Sequence, residues 1–175
     1  MNSLTRLAAV TLLVAATLTG CAQTVALDPA ANADDSVCAD IVVHAPRDVS
    51  GQAYRETNAQ GVVAYGTPTS VILRCGVAIP DPTSTLPCVY VDGVYWLRDD
   101  ADAPRYTFTT YGRSPASEVI VDRDVVSPGA ALFDLVPAVK YAEEIGKCTE
   151  VEDSLGAPPA GESTPSPTPS VSPKS

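Results

Sequence analysis

The chain has 175 residues, 11 basic and 21 acidic, for a net charge of −10 at neutral pH. A surface that negative repels nucleic acid and anionic lipid headgroups, which excludes both as partners recognised by charge. A single His leaves little material for a zinc centre or a His-dependent hydrolase.

The N-terminus reads as a lipoprotein signal peptide over residues 1–20. Arg6 supplies a positive start, and Leu7 to Leu18 forms an apolar run. That run is shorter than the roughly 20 residues a spanning helix needs. Leu18-Thr19-Gly20-Cys21 has the form of a bacterial lipobox, with small residues ahead of a Cys that takes the lipid. Cys21 is therefore the expected lipidation site and the first residue of the processed chain. Loss of Arg6 leaves 10 basic against 21 acidic residues, a net charge of −11. Anchored acyl chains bind at about 0.8 kcal/mol per buried methylene, which puts the protein on the extracytoplasmic face of the cell membrane.

Residues 21–37 are Ala, Asp, Asn and Thr with little periodicity and read as a lipidated flexible tether. A globular domain is expected over residues 38–148, one small domain's worth of chain. Within it, Asp40 to Ala45 is β-rich and stops at Pro46, which reads as a first strand. Arg47 to Thr57 is polar and turn-like. Val62 to Gly66 is a short apolar piece ending at a Gly-Thr-Pro break. Val71 to Cys75 is a near-continuous apolar run, the mark of a strand buried on both faces.

Gly76 to Pro87 carries three prolines and reads as a loop. Asp92-Gly93 between Cys88–Val91 and Val94–Leu97 is a strong hairpin signal, because a type I′ turn needs two positive φ angles. The register follows. Val91 faces Val94, Tyr90 faces Tyr95, and Val89 faces Trp96. Val89, Val91, Val94 and Trp96 then share one face, and Cys88, Tyr90, Tyr95 and Leu97 the other.

Arg98 to Pro104 is an acidic loop. Its aspartates match no complete Ca²⁺ loop, so no metal site is assigned. Arg105 to Tyr111 alternates, Gly112 to Pro115 turns, and Glu118 to Asp122 is a further strand. Ser127-Pro128 opens a helix with Pro at its first position. Leu132, Leu135, Val136, Val139 and Ala142 keep helical spacing. Pro137 inside the pattern should kink or split the helix, and Gly146 is the expected C-cap. Residues 149–175, rich in Pro, Ser and Thr, form a tail expected to be disordered. The expected class is α+β: a small, mostly antiparallel sheet with one C-terminal amphipathic helix, stapled by disulfides.

Four cysteines remain beside Cys21. An even number in an exported domain implies two bridges with three connectivities. The pairing expected is Cys75–Cys88, closing the loop beside the hairpin, and Cys38–Cys148, clasping the domain's ends.

Leu73-Arg74-Cys75-Gly76, Val91-Asp92-Gly93-Val94 with Trp96, Thr110-Tyr111-Gly112-Arg113, Pro137-Ala138-Val139 and the bounding Cys38 and Cys148 together resemble an actinobacterial lipoprotein family catalogued as domain of unknown function 3515. The resemblance covers about residues 38–148. It implies a membrane lipoprotein of uncharacterised role and supplies no catalytic residues.

The chemistry-bearing residues are few. His44 on a strand reads as structural. No Gly-x-Ser-x-Gly, Ser-x-x-Lys or His-Glu-x-x-His is present, and no catalytic residue or cofactor is assigned. Arg74, inside an apolar run, reads as one half of an ion pair, since an isolated buried charge is costly. The functional alternative is that Arg74 and Arg113 present bidentate donors to an anionic ligand, with Tyr90, Tyr95, Trp96 or Tyr111 as a stacking wall. The reading that results is a non-enzymatic envelope lipoprotein, a binding or accessory protein with an envelope or cell-wall partner. A small-ligand binder with an Arg and aromatic pocket is the alternative, and a hydrolase acting on envelope material a further one.

Overall fold

The computed structural model describes residues 23–152. The signal peptide, Cys21 and all but the first four residues of the tail lie outside the described residues. The elements run α1 (Ser36–His44), β1 (Asp48–Val49), β2 (Gln52–Arg55), β3 (Val62–Tyr65), β4 (Val71–Val77), β5 (Cys88–Val91), β6 (Val94–Asp99), β7 (Arg105–Tyr111), β8 (Arg113–Ser114), β9 (Ala116–Asp122), α2 (Pro128–Val139) and β10 (Glu143–Glu144).

Eight strands form one sheet in the order β1-β2-β3-β4-β9-β7-β6-β5, with every neighbouring pair antiparallel. The hairpin has the expected register, Val91 opposite Val94, Tyr90 opposite Tyr95 and Val89 opposite Trp96. Asp92 has φ 40° and Gly93 φ 87°, the two positive values a type I′ turn requires. β4 lies near the middle of the sheet, between β3 and β9, as its apolar run predicts.

Both helices pack on one face of this sheet. Leu73, Val119, Phe108 and Trp96 point into that layer and are fully buried, as are Leu132 and Leu135 of α2. This face carries the core. The opposite face bears Ile72, Arg74, Glu118, Thr109, Leu97, Tyr95 and Tyr90, which the cross-strand register aligns.

The structure corrects several expectations. The segment expected as the first strand is part of α1. Asp35 caps it by accepting from the Val37 amide at 2.8 Å. Cys38 and Ile41, three apart, bury together on one side, while Val43 stays exposed. That packing outweighs the β preference of Ile41-Val42-Val43. The described residues therefore hold two helices rather than one.

Residues 23–37 are not a free tether. The Val25 amide donates to the Glu56 carbonyl at 2.9 Å and the Asn32 amide to the Gly76 carbonyl at 3.0 Å. Ala30 and Ala33 are buried. Gly76, at φ 87°, meets this segment so closely that a Cβ there would run into the Asn32 backbone.

Pro137 does not split the helix. It falls in the last turn, and α2 stops at Val139 with Lys140 as its cap. Gly146 is not that cap. It lies beyond β10, where the Gly146 and Ile145 amides both donate to the Gly112 carbonyl. A side chain on Gly112 would collide with Gly146.

The disulfides join Cys38 to Cys75 and Cys88 to Cys148, not Cys75 to Cys88 and Cys38 to Cys148. The reason is the alternation of strands. Cys75 follows Leu73 onto the helix-covered face and meets Cys38 of α1. Cys88 shares the opposite face with Leu97. Two side chains on opposite faces of a sheet cannot bridge.

At the margin of the core, the Tyr65 hydroxyl is buried with no hydrogen-bond partner among the described residues. Burial pushes its phenol pKa up; the neighbouring Tyr54 adds to the rise, and Arg47 opposes it. The fold thus holds the neutral phenol. Its contribution to stability is intact below the ordinary Tyr value of about 10 and is lost as pH rises beyond it. Tyr65→Phe removes an unsatisfied polar atom and the titration together. It is expected to raise stability by about 1 kcal/mol at neutral pH and to flatten the alkaline loss, read as urea midpoints at neutral and alkaline pH.

Candidate functional site

The open face of the sheet carries the candidate site. Three successive strands each place one tyrosine there: Tyr90 on β5, Tyr95 opposite it on β6, and Tyr111 opposite Tyr95 on β7. Neighbouring strands lie about 4.8 Å apart, which brings opposed aromatic side chains within reach of one another. The Tyr90 and Tyr95 ring centroids are 5.0 Å apart. Tyr90 keeps 51% of its surface exposed.

Beside this row lies a cleft of about 390 Å³. Its floor is Leu97, Tyr111 and Cys88. One wall is the Pro-rich loop at Ser84 to Pro87, and the other is Cys148 to Glu152. Beyond Cys148 the second wall is chain expected as tail, and it is fixed at both ends. Cys148 is bonded to Cys88, and the Glu152 amide donates to the Cys88 carbonyl at 2.7 Å. A second hollow of about 450 Å³ opens on the other side of the same loop, over Leu97 and Thr109. The loop is ordered from within. Asp81 accepts from the Thr83 hydroxyl and amide, both at 2.7 Å, which holds its carboxyl below the usual range.

The chain reaches this cleft through a strap that runs from Gly146, seated on Gly112, to Cys148. Glu144 contacts Lys147 at 3.2 Å. Its hydrogen bond and charge raise the Lys147 pKa, and Tyr95 and Tyr90 add to the rise.

The structure brings together only part of the residue set expected from sequence. Tyr90 and Tyr95 are adjacent, with Tyr111 in line. Trp96 points the other way, fully buried in the core, and cannot face a ligand. Arg74 pairs with Glu118 across β4 and β9 at 2.9 Å, an ion pair as its setting predicts. Arg113 is buried elsewhere. Its guanidinium donates to the Ala142 carbonyl at 2.8 Å and the Gly93 carbonyl at 3.2 Å, with Glu144 at 3.6 Å. It ties the hairpin turn to the segment after α2. The two arginines are thus engaged with different parts of the protein and form no joint anion clamp. His44 stacks on Tyr141 with centroids 4.1 Å apart and contacts the Asp40 carbonyl through Nδ1 at 2.8 Å. Asp92, the turn residue, pairs with Lys140 at 3.1 Å.

Sequence reasoning missed Glu118 as the partner of Arg74. It also missed Glu150 and Glu152 at the cleft. The signal for Glu118 was present, since it is the lone acid within the alternating Ser117 to Val121 stretch. Nothing local marks the other two. Among the described residues no group of three or more Cys, His, Asp or Glu is placed to hold a metal ion, and no helix is long and apolar enough to cross a membrane.

The sequence matches, over residues 4–146, the family described as protein of unknown function DUF3515. The chain belongs to that family. No curated protein and no solved structure matches it. The family match takes in α1, the whole sheet, α2 and the strap as far as Gly146, and ends two residues before Cys148, where the second cleft wall begins.

Proposed function

We propose that this DUF3515 chain is a non-catalytic binding protein of the cell envelope. It is anchored by lipid at Cys21 on the outer face of the cytoplasmic membrane, and it engages its partner through the cleft and the tyrosine row. The observation that carries this reading is the half-exposed Tyr90, aligned with Tyr95 and Tyr111 beside a walled cleft. Aromatic rings left in water on a rigid sheet are the kind of surface that recognition uses. The signal segment and the Leu18-Thr19-Gly20-Cys21 lipobox support the location.

Two measurements test it. Cys21→Ser is expected to move the protein from the membrane fraction to the soluble one. Cross-linking in intact cells should recover a specific partner with wild type and lose it with Tyr90→Ala. An unchanged set of cross-links in both Tyr90→Ala and Tyr111→Ala would overturn the binding reading.

A further inference from the structure

We infer that the cleft takes an uncharged glycan chain, an inference that rests on the binding reading above and names the ligand class for the same site. The cleft and the hollow across the loop, about 390 and 450 Å³, are each large enough for a ligand of several rings. The floor and rim then restrict what that ligand can be.

Three tyrosine rings stand one strand apart, Tyr111 on the cleft floor and Tyr95 and Tyr90 in the row beside it, each ending in a hydroxyl. A pyranose has the matching surface: a face of C–H groups that packs on an aromatic ring and a rim of hydroxyls that needs polar partners. The cleft rim supplies those partners. Ser84, Thr85 and Thr149 bring hydroxyls, and Glu150 and Glu152 bring carboxylates, which accept hydrogen bonds from neutral donors more strongly than uncharged oxygens do.

Most other occupants fit less well. A polyanionic polymer meets a chain of net charge −10 and two carboxylates at the rim. An acyl chain would leave that polar rim without partners. An added β-strand would need the outer edge of β5, where the Cys88 carbonyl is already taken by the Glu152 amide. A cationic peptide satisfies the carboxylates and can set its charges over the rings, so hexalysine enters the test as the rival occupant.

The test uses the full-length lipidated chain in detergent micelles, titrated calorimetrically with neutral hexasaccharides (chitohexaose, cellohexaose and mannohexaose), with poly(glycerol phosphate) and with hexalysine. At least one hexasaccharide is expected to bind. Tyr90→Ala and Tyr111→Ala should each weaken that binding about tenfold, the loss of one good aromatic contact. Phe133→Ala, an exposed aromatic on α2, should leave it unchanged. Circular dichroism confirms that each variant is folded, and Tyr90 serves if Tyr111→Ala is not. Silence from all three hexasaccharides overturns the inference, as does tighter binding of hexalysine or poly(glycerol phosphate). If the hexasaccharides fail while cross-links still depend on Tyr90, only the glycan class falls. If the cross-links ignore Tyr90 and Tyr111 as well, the binding reading falls with it.

Discussion

Removing the Cys38–Cys75 bridge, as Cys38→Ala with Cys75→Ala, is expected to lower the unfolding free energy by about 4 kcal/mol. The chain-entropy cost of freeing a 37-residue separation sets that scale. Both cysteines are fully buried, and the bridge fastens α1 to the middle of the sheet. The variant should show a lowered urea midpoint. It should also lose protection of the α1 amides before that of the sheet, because little else ties the helix to β4. The second bridge closes a 60-residue separation and has a similar entropic worth. It differs in access, since Cys148 is half-exposed and lines the cleft. Mild thiol treatment of the native protein is therefore expected to reduce Cys88–Cys148 first and to leave Cys38–Cys75 intact. Peptide mapping with differential alkylation reads both results, and preferential reduction of Cys38–Cys75 would contradict them.

Arg113→Ala should cost about 3 kcal/mol or more, the range for removing one partner of a buried charged network. Its guanidinium satisfies two backbone carbonyls that belong to separate parts of the chain, Gly93 and Ala142. Truncation leaves both without this donor and leaves Glu144 with Lys147 as its remaining cation. Arg113→Lys should recover only part of the loss, because an ammonium cannot span two acceptors with the fixed geometry of a guanidinium. Arg74→Ala is the contrast. Its ion pair with Glu118 is partly solvated, with the Arg74 side chain 31% exposed, so the loss should be about 1 kcal/mol. Equal losses for the two arginines would refute the assignment of Arg113 as the tie between hairpin and strap. Thermal and urea unfolding measure all three.

The hairpin was legible because everything that determines it is local. Asp92-Gly93 fixes the turn, the turn fixes the register, and the register puts Tyr90 beside Tyr95. The start of α2 at Ser127-Pro128 is local in the same way. What failed depended on distant partners. Ile41-Val42-Val43 looks like a strand until Cys38 and Ile41 find the sheet on one side. The disulfides could not be paired without the strand order, because only the β4-β9-β7-β6-β5 sequence of neighbours puts Cys75 and Cys88 on opposite faces. The same information decides that Trp96 is core while Tyr95, one residue away, is surface. Half the candidate site was readable for this reason. The tyrosine pair came from the turn, whereas the cleft wall at Cys148 to Glu152 exists only because a cystine fastens that segment to β5.

The bridges also follow the order of synthesis, first cysteine of the domain with second, third with fourth. A chain that reaches an oxidising compartment N-terminus first exposes Cys38 and Cys75 before Cys88 and Cys148. An oxidase that joins thiols as they emerge then makes both native bonds directly. A nested pattern would instead hold Cys38 open until the last cysteine arrived and would call for a shuffling isomerase. In such a compartment, consecutive pairing asks only for an electron acceptor, with no step that reshuffles a wrong bridge.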